Sequence, residues 1–303
     1  MTKISILYKK KLFKDNFYKK TYVKFKKKFS KILGRIKYDL DSKKNTYHVL
    51  SKNLKLDYQI KDLKKFNKYQ KVVIIGMGGS ILGSQAIYEF FQFKIKKKFI
   101  FFDNLDYFKI EKFKKKNKTE KILFIVISKS GNTIETIENF ISFKIIKKNA
   151  KNIIIISENK NNKLSKIVKK NNLYFIEHKN YIGGRYSVLS EVGLVPAYLM
   201  GVDIKKFRKN LEKYLKLSET ENLAENSIFL GGLLKRNKYK NLIFLNYAPQ
   251  LENFLYWCQQ LIAESLGKKG KGFLPIISTA PKDHHSLLQL YLDGPKDKIF
   301  YIF

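Results

Sequence analysis

Five short runs, at residues 72–75, 99–102, 122–127, 153–156 and 174–176, are apolar at every position. Runs this short, rich in Ile and Val and without polar alternation, read as strands covered on both faces, as in a parallel sheet. Between them, residues 81–93 and 133–147 carry apolar side chains at spacings of three and four, which predicts amphipathic helices. Strands that alternate with helices in this way predict a doubly wound α/β domain, whose strands deliver their loops to one common edge.

Two of those loops stand out. Gly76-Met77-Gly78-Gly79-Ser80 follows the first run, and Ser128-Lys129-Ser130-Gly131-Asn132-Thr133 follows the third. Each passes through Gly or hydroxyl residues into a helical pattern. Free backbone N–H groups and the helix dipole favour an anion such as phosphate at that position. Gly and Ser are also ordinary residues of strand-to-helix turns, so one such loop alone would say little. Two in one sheet point to a phosphorylated small molecule. The first loop is not a dinucleotide fingerprint, because Ile81 stands where the third Gly is required. Nor is it a P-loop, since Gly83 is followed by Ser84-Gln85 rather than Lys-Ser/Thr.

The formal charge of +37 would ordinarily suggest nucleic acid or an anionic membrane. The excess is almost entirely Lys, with Arg only at Arg35, Arg185, Arg208 and Arg236, whereas nucleic-acid readers favour the Arg fork. Lys, Asn, Ile, Phe and Tyr are inflated together, the pattern of an AT-biased coding sequence. The Lys runs therefore read as solvated faces, and neither a nucleic-acid nor a membrane partner is expected. Cys258 is the only cysteine, so no intramolecular disulfide can form. The N-terminal segment lacks a secretory pattern, and no apolar run approaches the ~20 residues a membrane span needs. A cytoplasmic location is the expectation.

Residues 1–68 are Lys-rich with weak helical periodicity and predict an N-terminal helical arm. Residues 69–200 make the first α/β domain, and residues 201–235, with helical patterns at 190–201 and 204–217, read as a connector. Residues 236–303 make a second unit: a strand at 242–245, a long helix at 251–266, a Gly/Pro-rich turn region, a helix near 286–292 and a final strand at 299–303. This remainder supplies fewer strands and helices than a second α/β domain should have. The two halves could be distant copies of one βα plan.

Three further strings follow the two loops in order: Gly183-Gly184-Arg185-Tyr186-Ser187, Gln260-Leu261-Ile262-Ala263-Glu264-Ser265-Leu266-Gly267-Lys268 and His284-His285-Ser286-Leu287-Leu288-Gln289-Leu290. Together the five motifs resemble the glucose-6-phosphate isomerase (phosphoglucose isomerase) family, which is built from two sugar isomerase domains. The matches run from about residue 72 to residue 290. The resemblance implies two doubly wound parallel-sheet domains behind a helical arm, the second incomplete here. It also implies reversible isomerisation of glucose 6-phosphate and fructose 6-phosphate, without metal or cofactor.

Trp257, Gln260, Leu261 and Glu264 recur at helical spacing and share one face. A carboxylate in the last turn of a helix sits at the negative end of the dipole, which suits a general base, although a solvent-facing Glu paired with Lys268 is the plainer reading. The resemblance implies that Glu264 moves a proton between C2 and C1 of the open-chain sugar through an enediol(ate). Arg185, in its Gly-Gly-Arg turn, would stabilise the developing oxyanion, and Gln260 would contact the sugar. His285 would open the hexose ring, with His284 the near neighbour to be distinguished from it. In the family this histidine comes from the neighbouring subunit, which implies a homodimer with shared active sites.

Phosphate binding would fall to Gly79 and Ser80 from the first loop and to Ser128, Lys129, Ser130 and Thr133 from the second. His48 and His178 read as structural or surface residues. Family members are longer and carry a catalytic lysine on a C-terminal helix. No residue here is matched to it, so either the chain is truncated or another group serves. The alternatives are a non-catalytic phosphosugar-binding module and an isomerase that also accepts mannose 6-phosphate.

Overall fold

The computed structural model describes residues 16–42, 45–215 and 221–303. The predicted N-terminal arm lies partly outside the described residues. Within them it forms α1 (Asn16–Tyr38), a 3-10 turn at Thr46–Leu50 and the one-turn helix α2 (Ile60–Leu63).

Each of the five apolar runs is a strand: β1 (Lys71–Ile75), β2 (Lys98–Phe102), β3 (Ile122–Ile127), β4 (Ile153–Ser157) and β5 (Tyr174–Glu177). All pair in parallel, in the order β2-β1-β3-β4-β5. β3 and β4 are buried throughout because helices cover both faces of the sheet. On one face Val72, Ile74, Leu123, Ile125 and Ile154 pack with Ile87 of α3 (Leu82–Phe91) and with Val192, Val195 and Leu199 of α7 (Glu191–Leu199). On the other, Val73, Ile75, Phe124, Val126 and Ile155 pack with Ile110 of α4 (Tyr107–Lys116), Phe140 of α5 (Ile134–Ser142) and Leu164 of α6 (Lys163–Asn171).

Two of these helices, α4 and α6, are not among those predicted from the sequence, although Leu164, Ile167 and Val168 of α6 recur at helical spacing among the lysines. Their starts are nevertheless capped. Asp106 accepts from the Lys109 N–H at 2.8 Å, and Asn162 forms a capping box with Ser165. α5 is shorter than the predicted 133–147, since the chain turns away through a left-handed Lys144 (φ +54°). The predicted helix at 204–217 also breaks, leaving α8 (Ile204–Arg208) before a left-handed Asn210 (φ +66°) and a 3-10 turn at Leu211–Leu215.

The C-terminal part holds α9 (Glu221–Arg236), β6 (Asn241–Asn246), α10 (Glu252–Leu266), β7 (Leu274–Thr279), α11 (His284–Asp293) and β8 (Lys298–Ile302). Its three strands are parallel in the order β7-β6-β8, which repeats the β2-β1-β3 order of the first sheet. The idea of two copies of one βα plan fits this topology, with counterparts of only the first three strands. β7 lies where the sequence reads as a Gly/Pro-rich turn. Pro275 argues against a central strand, but β7 is an edge strand, where a missing N–H is tolerated.

α10 joins the two sheets. Leu255, Cys258 and Ile262 pack into the C-terminal core, while Trp257 packs against the core of the first domain. The Asn253 N–H donates to Glu89 of α3 at 2.7 Å. Burial among these apolar groups pushes the Cys258 thiol up to about 11, which makes it inert as a nucleophile.

Both His48 and His178 are buried and structural. His48 Nδ1 lies 3.0 Å from the Leu40 carbonyl, and His178 follows β5 with its N–H bonded to the Ser157 carbonyl at 2.8 Å. Burial pushes the His178 imidazole down from 6.5 to about 4. The unfolded chain therefore takes up a proton near pH 6.5 that the folded protein refuses until near pH 4, so stability is lost as pH falls through that window. Urea unfolding at pH 7 and at pH 4 is expected to show a loss about 3 kcal/mol larger in the wild type than in His178→Gln.

Candidate active site

In the order β2-β1-β3 the chain leaves β1 for one side of the sheet and returns as β3 on the other. The crevice at the carboxyl ends of β1 and β3 is therefore a topological switch point, where open α/β sheets bind ligands. The two loops singled out in the sequence both open there. They start side by side, since a Cβ on Gly76 would lie 3.1 Å from the Ile127 carbonyl oxygen.

After β3, the buried Ser128 Oγ lies 2.9 Å from Thr133 Oγ1 and accepts from the Gly131 N–H at 3.2 Å. The exposed Ser130 accepts from the Asn132 N–H at 3.1 Å. Gly131 has φ +66° and passes so close to Asn162 that a Cβ would meet its Oδ1 at 2.1 Å. Asn162 is itself buried and caps α6, so the turn is held from behind, with Ser130 exposed and Thr133 half-buried at the start of α5. The Lys129 ammonium is drawn elsewhere, to the Asn180 and Ile182 carbonyls at 2.8 and 2.9 Å.

After β1, Gly78 (φ +51°) and Gly79 make a 3-10 turn with Ser80. A Cβ on Gly79 would lie 2.3 Å from the carbonyl carbon of Gly184, so the turn packs backbone to backbone on the Arg185 loop. Ser187 ties the two together, its Oγ donating to the Gly184 carbonyl (2.7 Å) and the Gly79 carbonyl (3.2 Å). Ile81, in place of a third Gly, is buried in the core below.

Arg185 meets the polar face of α10. Its Nη1 donates to Glu264 Oε2 at 2.9 Å and its Nε to Ser265 Oγ at 3.0 Å, while its backbone carbonyl accepts from Trp257 Nε1 at 2.8 Å. Gln260 Nε2 donates to the other carboxylate oxygen of Glu264 at 2.8 Å. The same Nε2 lies 2.9 Å from where a Cβ of Gly78 would be, so Gln260 links the first loop to the carboxylate. Glu264 is 48% exposed and Arg185 21%, which leaves the pair open to a ligand.

Tyr186 and Ser265 support this pair, although sequence reasoning assigned them no role. The Tyr186 hydroxyl lies 2.9 Å from Ser265 Oγ, and its ring lies 4.6 Å below the Arg185 guanidinium. Burial alone would raise the Tyr186 phenol, but the Ser265 hydroxyl and the Arg185 charge outweigh it and hold the phenol below its ordinary value. Both residues sit inside the quoted Gly-Gly-Arg and Gln-to-Lys strings, which was the available signal.

His285 lies on α11, exposed, and its imidazole makes no hydrogen bond or ion pair with Arg185, Glu264 or either loop. His284 takes the inward place, with Nε2 2.8 Å from the Tyr247 hydroxyl. Within one chain, then, Glu264, Arg185, Gln260 and the first loop come together, the second loop opens beside them, and His285 stands apart. Among the described residues no group of three His, Cys, Asp or Glu is placed to hold a metal ion, and no helix is long and apolar enough to cross a membrane.

A carboxylate with a guanidinium beside it, near two Gly- and Ser-bearing turns at the carboxyl ends of parallel strands, has the groups needed to move a proton α to a carbonyl. Comparison with known proteins agrees with that class. The sequence profile of the phosphoglucose isomerase family matches residues 56–274, and the chain belongs to that family. A glucose-6-phosphate isomerase of Methanocaldococcus jannaschii is 39% identical over 253 residues, covering 80% of this chain and 62% of its own. A probable glucose-6-phosphate isomerase of Methanococcus maripaludis is 35% identical over 289 residues, covering 91% and 65%. The chain thus spans 62 to 65% of the length of these curated relatives. The crystal structure of a glucose-6-phosphate isomerase from Chlamydia trachomatis superposes with a TM-score of 0.74 over 93% of this chain and 65% of its own, at 20% identity, a likeness of fold.

Gly79→Ala puts a methyl group into the Gly184 backbone and should displace one loop from the other. It is expected to destabilise the protein by about 1–3 kcal/mol in urea unfolding, and to weaken phosphosugar binding in calorimetry. Gly270→Ala, where no atom lies within 4 Å but φ is +69°, should cost only the backbone term of about 1 kcal/mol and leave binding unchanged.

Proposed function

We propose that this chain catalyses the reversible isomerisation of glucose 6-phosphate and fructose 6-phosphate. The observation that carries the reading is the contact of Arg185 and Gln260 with the two oxygens of Glu264, beside a crevice with two anion loops. The phosphate dianion is held by Gly79 and Ser80 and by the backbone of Lys129 with the hydroxyls of Ser128, Ser130 and Thr133, which bind anions without a metal. The Glu264 carboxylate removes the proton from C2 of the open-chain aldose. The C–H electron pair forms the C1–C2 double bond and the carbonyl π pair moves to O1, where Arg185 stabilises the charge. Glu264 returns the proton to C1, and the O2 proton passes to O1, which leaves the ketose. Gln260 orients the carboxylate and contacts the sugar.

His285 opens the ring of the cyclic substrate, as an imidazole can near neutral pH. Its separation from Glu264 supports delivery from a second copy, and so a homodimer with shared sites. Residues 69–200 and 236–303 act as the two domains that close this site, with 201–235 as connector. Glycolytic and gluconeogenic sugar-phosphate interconversion in the cytoplasm is the corresponding role.

Incubation of the purified protein with fructose 6-phosphate in deuterated water tests the reading. Deuterium is expected at C2 of the glucose 6-phosphate formed, and Glu264→Gln should lower turnover by about 10²–10⁴-fold while phosphosugar binding persists. Binding without turnover or exchange in the wild type would instead indicate a phosphosugar-binding module.

A further inference from the structure

Lys129 sits inside the second anion loop, yet its ammonium points away from the loop mouth. An ammonium has three N–H donors and no more. Two are spent on the Asn180 and Ile182 carbonyls at 2.8 and 2.9 Å, and the third side faces Glu158 Oε1 at 3.7 Å. Glu158 is buried and also meets Lys160, so the Lys129 charge is balanced within the fold. The Lys129 carbonyl is used as well, accepting from the Glu158 N–H at 3.1 Å.

The carbonyls it grips lead straight into Gly183-Gly184-Arg185. Thr46 holds the same segment from its own side, its Oγ1 donating to the Tyr181 carbonyl at 2.9 Å and accepting from the Gly183 N–H at 3.0 Å. Lys129 therefore spans from the loop after β3 to the segment that presents Arg185. We propose that its side chain is a positioning residue that couples the anion loop to the placement of Arg185 against Glu264, and that it does not itself bind the phosphate. Movement of the Ser128–Thr133 turn on anion binding would be passed through this ammonium to residues 180–182. The inference rests on the proposed isomerase reaction for its kinetic consequence, but its structural part stands without it.

Lys129→Met removes the donors and the charge while keeping most of the apolar stem. In the full chain, three readouts separate a strut from a phosphate ligand. Amide exchange at Ile182 and Tyr186, both hydrogen-bonded in the structure to the Lys179 and Gly183 carbonyls at 3.1 and 2.9 Å, should accelerate by roughly tenfold or more. Affinity for inorganic phosphate by calorimetry should stay within about threefold. With fructose 6-phosphate, kcat should fall by roughly 30-fold or more with little change in KM, the signature of a misplaced transition-state contact. Lys129→Arg, which keeps charge and donors, should retain the amide protection and shows that the site tolerates substitution. Unchanged exchange with phosphate affinity lowered tenfold or more would overturn the proposal, as would a variant unaltered in both. A wild type without turnover would refute the isomerase reading alone, since the exchange and phosphate measurements still decide this one.

Discussion

The Gly79–Gly184 contact is the constraint on which the site depends. Two backbones approach there more closely than any Cβ would allow, and each belongs to a loop with chemistry beside it. The loop after β1 carries Ser80 and abuts Gln260, and the loop after β5 presents Arg185. α10 lies across both, anchored by Trp257 on the Arg185 carbonyl and by Glu264 on its guanidinium. Glu264, Arg185 and the first Gly-rich loop are thereby brought together from three distant stretches of chain. The second anion loop adjoins them only because β1 and β3 are neighbours in the sheet.

The Arg185–Glu264 pair contributes little to stability. Ion pairs this exposed are worth about 0–1 kcal/mol, because water solvates both partners nearly as well. The same accounting makes the pair cheap to open, which a substrate arriving between the two groups requires. Supports that do not open lie deeper. Ser265 and the Tyr186 ring hold the guanidinium from the far side, and Trp257 holds its backbone. The formal charge of +37 draws anionic metabolites toward the molecule at long range but does not orient them. In the proposed reaction, orientation falls to the two loops.

The sheet was legible because five runs without a single polar residue have no other stable home than between two helical layers. α4 and α6 were passed over because each is short and mostly polar, although Leu164, Ile167 and Val168 of α6 do keep helical spacing. β7 was hidden by Pro275 and the glycines before it, features that only its place at the sheet edge makes harmless. For the site, the Gly-Gly-Arg and Gln-x-x-x-Glu strings led directly to residues that touch. The supports did not show themselves, since Asn162 behind Gly131 and Asn180 beside Lys129 are neighbours only in the folded chain. His284 and His285 illustrate the same limit. They are adjacent on a helix, so their side chains diverge by about 100°, and the Tyr247 hydroxyl decides which turns inward.

A crystal structure of the chain with fructose 6-phosphate or an unreactive acyclic analogue tests the central claim most directly. The account predicts the phosphate within hydrogen-bond reach of Ser130, Thr133 and Ser80, and the Glu264 carboxylate over C1 and C2 with Arg185 beside their oxygens. A phosphate bound elsewhere, or a sugar whose C1 and C2 lie beyond the reach of Glu264, would contradict it.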